Sequence, residues 1–114
     1  MQTALNLLLG HIFQATPKTQ VFVADVIGTN HIINPWNQCI LDFNKLIPGT
    51  IENMKTKGMQ VYFVPMYNQT GICGASEGTE DYALCGGHKI HPTPAGYPRM
   101  ASAFAKVILD HLTI

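Results

Sequence analysis

Residues 20–27, QVFVADVI, and residues 60–65, QVYFVP, are the two stretches that decide the fold. Both are rich in β-branched and aromatic residues and apolar on both faces, as strands are when helices cover both sides of a parallel sheet. Around them, apolar residues recur at helical spacing in residues 2–15, 36–57 and 93–112, which predicts three helices. The order helix, strand, helix, strand, loop, helix predicts an α/β protein with a parallel sheet.

Local residues predict where the helices begin, bend and end. Pro48 lies inside the second helix and predicts a kink or a break there, and Gly58 predicts its C-terminal cap. Thr93 and Pro94 are predicted to begin the last helix. The apolar stripe of that helix is Met100, Phe104, Val107, Ile108 and Leu112.

Length and composition narrow the class of protein. The 114 residues predict one domain, and 46% hydrophobic against 12% charged residues excludes intrinsic disorder. A formal net charge of zero gives no reason to expect a nucleic-acid or membrane partner, and no cofactor is expected. Two strands leave open sheet edges, so we expect the chain to associate with a copy of itself or with a missing N-terminal half of its domain.

The cysteines and a glycosylation sequence bear on localisation. Cys73 and Cys85 lie in one long irregular segment and could form a disulfide, or they could be reduced thiols. Asn68 begins the glycosylation sequence Asn-Gln-Thr. Both features favour a secreted protein, although residues 1–14 do not form a secretory signal. Cys39 is then left over, either buried as a small hydrophobe or paired with another molecule.

Residues 86–100, GGHKIHPTPAGYPRM, carry the most informative motif. They resemble the C-terminal catalytic block of the SGNH (GDSL-type) hydrolases, in which Asp-x-x-His-Pro is followed by a short turn, Gly-Tyr and a helix with Met-Ala. His91-Pro92, Gly96-Tyr97 and Met100-Ala101 match that pattern. The two strands and the intervening segment from Phe43 to Pro48 resemble the second half of secreted members. The resemblance therefore implies the C-terminal half of a three-layer, flavodoxin-like α/β domain, with about two strands and three helices.

The resemblance also implies hydrolysis of a carboxylic ester, commonly an acetyl or acyl group on a carbohydrate or lipid. In the family a serine attacks the ester, a histidine takes its proton and an aspartate orients that histidine. His91 occupies the place of the general base, while His88 stands where the family has the aspartate. Gly28-Thr29-Asn30 resembles the oxyanion block, which makes Asn30 a candidate oxyanion residue.

The nucleophile of the family has no counterpart in this chain. The Gly-Asp-Ser motif is absent, and the two serines are Ser76 in the irregular segment and Ser102 in the last helix. Asp81 or Glu80 could replace the missing aspartate. We therefore expect an esterase-like chain that is inactive by itself. The alternative is a non-catalytic, self-assembling subunit that uses the same fold.

Two further sets of residues could form a binding site, one for zinc and one for a sugar. Cys73, Cys85, His88 and His91 could hold zinc tetrahedrally, but the wide first gap does not match a known zinc scaffold, so no metal is expected. Aromatic residues could line a sugar site; they are Trp36, Tyr62, Tyr67 and Tyr82. Asp25 lies within a predicted buried strand and requires a hydrogen-bond partner there.

Overall fold

The computed structural model of the chain describes residues 2–28, 36–72 and 92–112. In order, these form α1 (Gln2–Ala15), β1 (Val21–Ala24), α2 (Trp36–Thr56), β2 (Val61–Val64), α3 (Met66–Thr70) and α4 (Tyr97–His111). The strands pair in parallel, with Val21 beside Val61 and Ala24 beside Val64. The predicted parallel α/β architecture is therefore confirmed.

Helices cover both faces of the two strands. Val21 and Val23 contact the cluster that α1 and α2 build around Leu9, Ile47 and Ile51. On the opposite face, Phe22 and Ala24 contact the cluster that contains Ala103 of α4. Alternate residues of a strand point to opposite faces, so this division follows directly from the sequence of β1. The result is three layers, as the SGNH resemblance implied.

Both strands are shorter than predicted. Each was expected to extend further along its apolar run, but pairing is confined to the four residues of each strand. The residues of β2 at its ends are fully buried, whereas every residue of β1 is only half-buried. The prediction that both strands are buried on both faces therefore holds at the ends of β2 but not for β1.

The helix boundaries show one confirmation and two corrections. Gly58 has a φ of 96°, so it adopts the left-handed conformation that ends α2, as predicted. Of the kink or break predicted at Pro48, the break does not occur, because α2 continues through this residue. Pro48 itself is exposed. None of the described helices is long and apolar enough to cross a membrane.

The start of α4 was predicted four residues too early. The helix begins at Tyr97 after Gly96, with Pro98 in its first turn, so Thr93 and Pro94 do not start it. Residues 94–96 instead form a turn in which the Gly96 N–H donates to the Thr93 carbonyl oxygen at 2.8 Å. In the predicted stripe, Leu112 is 51% exposed and does not join the core.

Candidate functional site

The strands are parallel, so the C-terminal ends of β1 and β2 lie next to each other at the same end of the sheet. Asp25 directly follows β1, and α3 begins two residues after β2. The backbone N–H of Tyr67 in α3 donates to Oδ1 of Asp25 at 2.8 Å. The partner that Asp25 was predicted to need is therefore a backbone amide, and this bond connects the end of β1 to α3.

The carboxyl group of Asp25 lies in an environment that disfavours its charge. Desolvation by burial raises the pKa of Asp25, and backbone hydrogen bonds from Tyr67, Met66 and Asp25 itself oppose this shift. The net direction is upward from the ordinary value of 3.8. Asp25 thus combines a structural hydrogen bond with a costly buried charge.

Asn44 holds the chain that follows β1. Its Nδ2 donates to the carbonyl oxygen of Val26 at 2.8 Å, and its Oδ1 accepts from the N–H of Val26 at 2.9 Å. A single buried side chain of α2 therefore satisfies both backbone groups of one residue. This pair of bonds fixes the segment that leads toward residue 28.

Arg99 connects α4 to the end of α3. Its Nη1 donates to the carbonyl oxygen of Thr70 at 3.1 Å. The buried hydroxyl of Thr70 donates in turn to the Met66 carbonyl oxygen at 2.7 Å. Arg99 is exposed and nevertheless contacts another element through this hydrogen bond. Together with Asp25, Arg99 fixes α3 at both of its ends.

A cavity of about 260 Å³ opens beside these contacts, between α2, the end of β2 and α3. Tyr67, one of the predicted candidates for sugar contact, lines it together with Asn68 and Asp25. Tyr62 instead lies over the sheet, where its ring stacks on His111 with centroids 4.1 Å apart. Of the other aromatic candidates, the Trp36 side chain and Tyr82 lie outside the described residues.

Most of the predicted site residues fall outside the described ranges. They are His91, His88, Asn30, Cys73 and Cys85, so the general base, the oxyanion candidate, the disulfide and the zinc alternative remain predictions. Asn68 is described and exposed. Cys39 is exposed too, which contradicts the option that it is buried. Among the described residues, no group of three or more histidine, cysteine or acidic side chains could hold a metal ion.

Ser102 is the serine that the structure describes, and it does not lie at the strand ends in the manner of the family's nucleophile. It is exposed in α4 and lines a groove with Gln69 of α3 and Lys106. An SGNH-type nucleophile precedes a helix and was expected near the N-terminus of the family's domain. Among the residues that the structure describes, no serine therefore lies at the carboxyl ends of the strands.

Comparison with known proteins bears on this interpretation. No protein-family model matches the sequence. A family 3 carbohydrate esterase of Clostridium thermocellum has a similar structure, with a TM-score of 0.70 and 28% identity over 95% of this chain. The chain has the fold of the C-terminal portion of an SGNH hydrolase. The resemblance identified from the sequence is thereby confirmed.

A second match comes from comparison of sequences. A protein of Acetivibrio thermocellus with the provisional name endoglucanase X is 27% identical over 110 residues, which are 96% of this chain. The chain spans 42% of that relative and 46% of the clostridial esterase, so it covers less than half the length of either protein.

Two residues of the SGNH-like support were missed at the sequence level. Asn44 lies within the segment from Phe43 to Pro48 that carries the resemblance, and Arg99 lies in the last helix, but the sequence predicted no contact for either residue. A signal for Asn44 was present, because an amide on the apolar face of a helix must find partners when buried. For Arg99 no signal was available, since its partner is a backbone carbonyl of another element.

Proposed function

We propose that this chain supplies the C-terminal part of a carbohydrate-ester hydrolase site, in which His91 is the general base. The observation that carries this proposal is the similarity to a carbohydrate esterase over 95% of the chain. The His-Pro and Gly-Tyr pairs of residues 91–97 support it independently, because they match the catalytic block of the SGNH hydrolases. The substrate is an ester, such as an acetyl group, on a sugar.

The proposed reaction requires a serine from a polypeptide segment outside these 114 residues. The hydroxyl oxygen of that serine attacks the ester carbonyl carbon while His91 accepts its proton, and the sugar alcohol then leaves with that proton. Water hydrolyses the acyl-serine in the second half of the reaction. His88 replaces the aspartate that stabilises the imidazolium, so we propose that the turnover is slow.

Ester hydrolysis fits the residues better than the glycoside hydrolysis that the name endoglucanase implies. A glycosidase uses two carboxyl groups on either side of the bond that it cleaves. Of the four described aspartate and glutamate side chains, Asp25 accepts the Tyr67 amide, Asp42 and Glu52 are exposed on α2 beside Gln38 and Lys55, and Asp110 is exposed on α4. None of these residues carries a motif that indicates glycoside hydrolysis, whereas the histidine block resembles the catalytic block of the esterases.

We further propose that the protein is secreted, with Cys73 and Cys85 bridged. The exposed position of Asn68 supports this proposal, because glycan transfer requires an accessible asparagine. Mass spectrometry of the non-reduced protein tests the bridge: a peptide pair that contains both cysteines is expected, and alkylation of both thiols would contradict it.

Activity is best tested in one polypeptide. The part of the clostridial esterase that this chain does not match is fused ahead of residue 1, and hydrolysis of 4-nitrophenyl acetate and of an acetylated sugar is measured. The fused polypeptide is expected to hydrolyse both substrates, and His91→Ala to lower kcat at least 100-fold. His88→Asp is expected to raise kcat about tenfold or more, because it restores the carboxylate that stabilises the imidazolium.

The controls separate this mechanism from a misplaced nucleophile. The isolated 114-residue chain is expected to show no hydrolysis above that of its His91→Ala variant. Ser102→Ala in the fused polypeptide is the matched control and should leave kcat within twofold. Full activity of the His91→Ala variant, or a robust His91-dependent activity of the isolated chain, would overturn the proposal.

A non-catalytic, self-assembling subunit is the second candidate function. It is favoured by one observation, namely that within the described residues the sheet ends at β1, whose residues are only half-buried. Sedimentation of the isolated chain over a hundredfold dilution range, at low micromolar concentrations, distinguishes the two. Stable, concentration-independent oligomers together with an inactive fused polypeptide would favour the subunit.

A further inference from the structure

A groove of about 500 Å³ lies between α1 and the C-terminal end of α2, and we call it the interhelical groove. It shares no residue with the cavity beside Asp25 or with the groove that contains Ser102. Both helices end before a strand begins, so their C-terminal ends lie toward the N-terminal ends of the strands, away from Asp25. The polar residues that line the interhelical groove are Asn6, His11 and Gln14 of α1, Asn53 of α2, and Lys57 directly after α2.

The polar side chains of the interhelical groove suit hydroxyl groups. Each of its three amide side chains offers one oxygen that accepts hydrogen bonds and one NH₂ group that donates them. A hydroxyl group also donates and accepts, so it can bind an amide in either sense. Among the residues that line the groove none is acidic, which argues against a cationic ligand. Lys57 is exposed, so water weakens its attraction for an anion.

The amide of Asn6 lacks one hydrogen bond. Its Oδ1 is buried, and no donor among the described residues reaches it. A buried acceptor without a donor destabilises the folded chain, and in a native structure it indicates a bound water or ligand that supplies the missing bond. Because Asn6 lines the interhelical groove, a hydroxyl group bound there can donate to this oxygen after a small shift of the side chain.

Gly10 and Phe13 give the interhelical groove room and an apolar surface. A Cβ at Gly10 would meet no atom within 4 Å, so the space above this residue is open. Helix α1 is regular at Gly10, and no positive φ requires glycine there. The ring of Phe13 is half-buried and packs against the core, which leaves part of it in the groove. An apolar ring beside a few polar groups is typical of ligand pockets, and it suits the C–H face of a sugar.

We propose that the interhelical groove is a non-catalytic site that binds a neutral sugar chain. The choice of a sugar chain rests on the proposed function, in which the ester lies on a sugar. A polysaccharide that is held at the interhelical groove keeps its ester groups at a high local concentration near the same protein molecule. The groove is built from α1 and α2 alone, so this chain can bind the sugar without the segment that carries the serine.

Nuclear magnetic resonance of the ¹⁵N-labelled 114-residue chain tests the proposal. The side-chain NH₂ signals of Asn6, Gln14 and Asn53 are followed during titration with cellotetraose and with xylotetraose, which are neutral tetrasaccharides. Saturable shifts of these signals, with a dissociation constant of about 1 mM for at least one sugar, are expected. The absence of saturable shifts with both sugars up to about 10 mM would overturn the proposal.

Two further outcomes of the titration would also overturn it. If the sugars shift the NH₂ signals of Asn44 and Asn68 instead, the sugar binds in the cavity beside Asp25, which these residues line. Inorganic phosphate is titrated as a comparison. Tighter binding of phosphate than of both sugars at Asn6, Gln14 and Asn53 would show that the groove is a site for anions.

Gly10→Ala and Gly49→Ala are matched variants, because a Cβ meets no atom within 4 Å at either position and only Gly10 lines the interhelical groove. Both substitutions are expected to raise the midpoint of urea denaturation, since alanine favours a helix more than glycine does. Gly10→Ala is nevertheless expected to weaken sugar binding at least about fivefold, because its methyl group occupies the groove, and Gly49→Ala less than about twofold. Equal affinities of the two variants would contradict the proposal.

A second pair of variants compares two amides of α2. Asn53→Ala removes an amide from the interhelical groove and is expected to weaken sugar binding at least about fivefold. Gln38→Ala removes an exposed amide near the other end of α2 and should change the affinity less than about twofold. Equal effects of the two substitutions would contradict the site.

Binding to the interhelical groove needs no serine, so it is measured independently of activity. Localised binding of a sugar by the 114-residue chain, together with an inactive fused polypeptide, would support the groove and overturn the proposed function. An active fused polypeptide, together with no binding of either sugar to the 114-residue chain, would overturn the groove alone.

Discussion

Asp25 is the residue at which burial and charge oppose each other most directly. Its carboxyl group accepts the N–H of Tyr67 and so connects β1 to the segment that precedes the residues of the catalytic block. The same position removes the carboxylate from water, which raises its pKa. When it is charged, this aspartate therefore lowers the free energy of unfolding relative to a neutral residue that accepts the same hydrogen bond.

Replacement of Asp25 by asparagine is predicted to remove a pH-dependent loss of stability. The folded chain binds the proton more tightly than the unfolded chain, whose pKa lies near 3.8. The free energy of unfolding of the wild type should therefore fall, relative to Asp25→Asn, as pH rises from 3.8 through the raised folded pKa, and then level off. Urea denaturation between about pH 4 and pH 7 measures this difference.

The exposed Asp42 on α2 supplies the control for that measurement. Asp42→Asn introduces the same substitution on the surface and leaves the buried contacts of Asp25 in place, so it shows how much of the difference belongs to the buried position. If the wild type gained stability over Asp25→Asn with rising pH, the carboxyl group would have a lowered pKa, and the electrostatic description of the site would be wrong.

At the scale of elements, α2 contains a residue that a helix does not favour. Pro48 lies inside α2, lacks an N–H and nevertheless does not interrupt the helix. Tertiary packing of the flanking residues Ile47 and Ile51, which are 2% and 1% exposed, outweighs the local preference of proline. This explains why the sequence predicted a break that the structure does not have.

Pro48→Ala is accordingly predicted to raise the free energy of unfolding by about 1–3 kcal/mol, since proline is about 3 kcal/mol less favourable than alanine inside a helix. Gly49→Ala is the matched comparison, because a Cβ at Gly49 meets no atom within 4 Å and should add about 1 kcal/mol. Urea denaturation of both variants measures which substitution raises the free energy of unfolding more. A loss of stability in Pro48→Ala would contradict this prediction. It would show that the proline ring makes stabilising contacts with other residues that line the cavity.

The sequence predicted element types better than element ends. Apolar spacing identified α1 to its exact bounds, because a core face at Leu5, Leu9 and Ile12 leaves little ambiguity. The strands were overestimated because apolarity continues past the residues that pair. The start of α4 was misplaced because Thr93 accepts a turn hydrogen bond from Gly96 instead of capping the helix. Such choices depend on tertiary contacts, which local propensity does not contain.

At the scale of the whole molecule, a motif in the sequence predicted the family resemblance, whereas the contacts between the elements were not predictable. His91 and the Gly-Tyr pair indicated the SGNH hydrolases from the sequence, and the clostridial esterase supports the same family. The sequence indicated that a buried Asn44 needs hydrogen-bond partners, but it did not identify the partner of Asn44 or of Arg99, since each bond joins two different elements. We propose that this chain carries the general base of a hydrolase and that another polypeptide segment carries the nucleophile, as a division of one site between two portions.

The measurement that tests this division most directly is covalent labelling of the fused polypeptide with a fluorophosphonate, followed by mass spectrometry of its peptides. The account predicts one adduct, located on a serine of the fused segment, and a labelling rate that falls at least 100-fold in His91→Ala. An adduct on Ser76 or Ser102, or labelling that is unchanged in His91→Ala, would contradict the claim that this chain contributes the base and another segment the nucleophile.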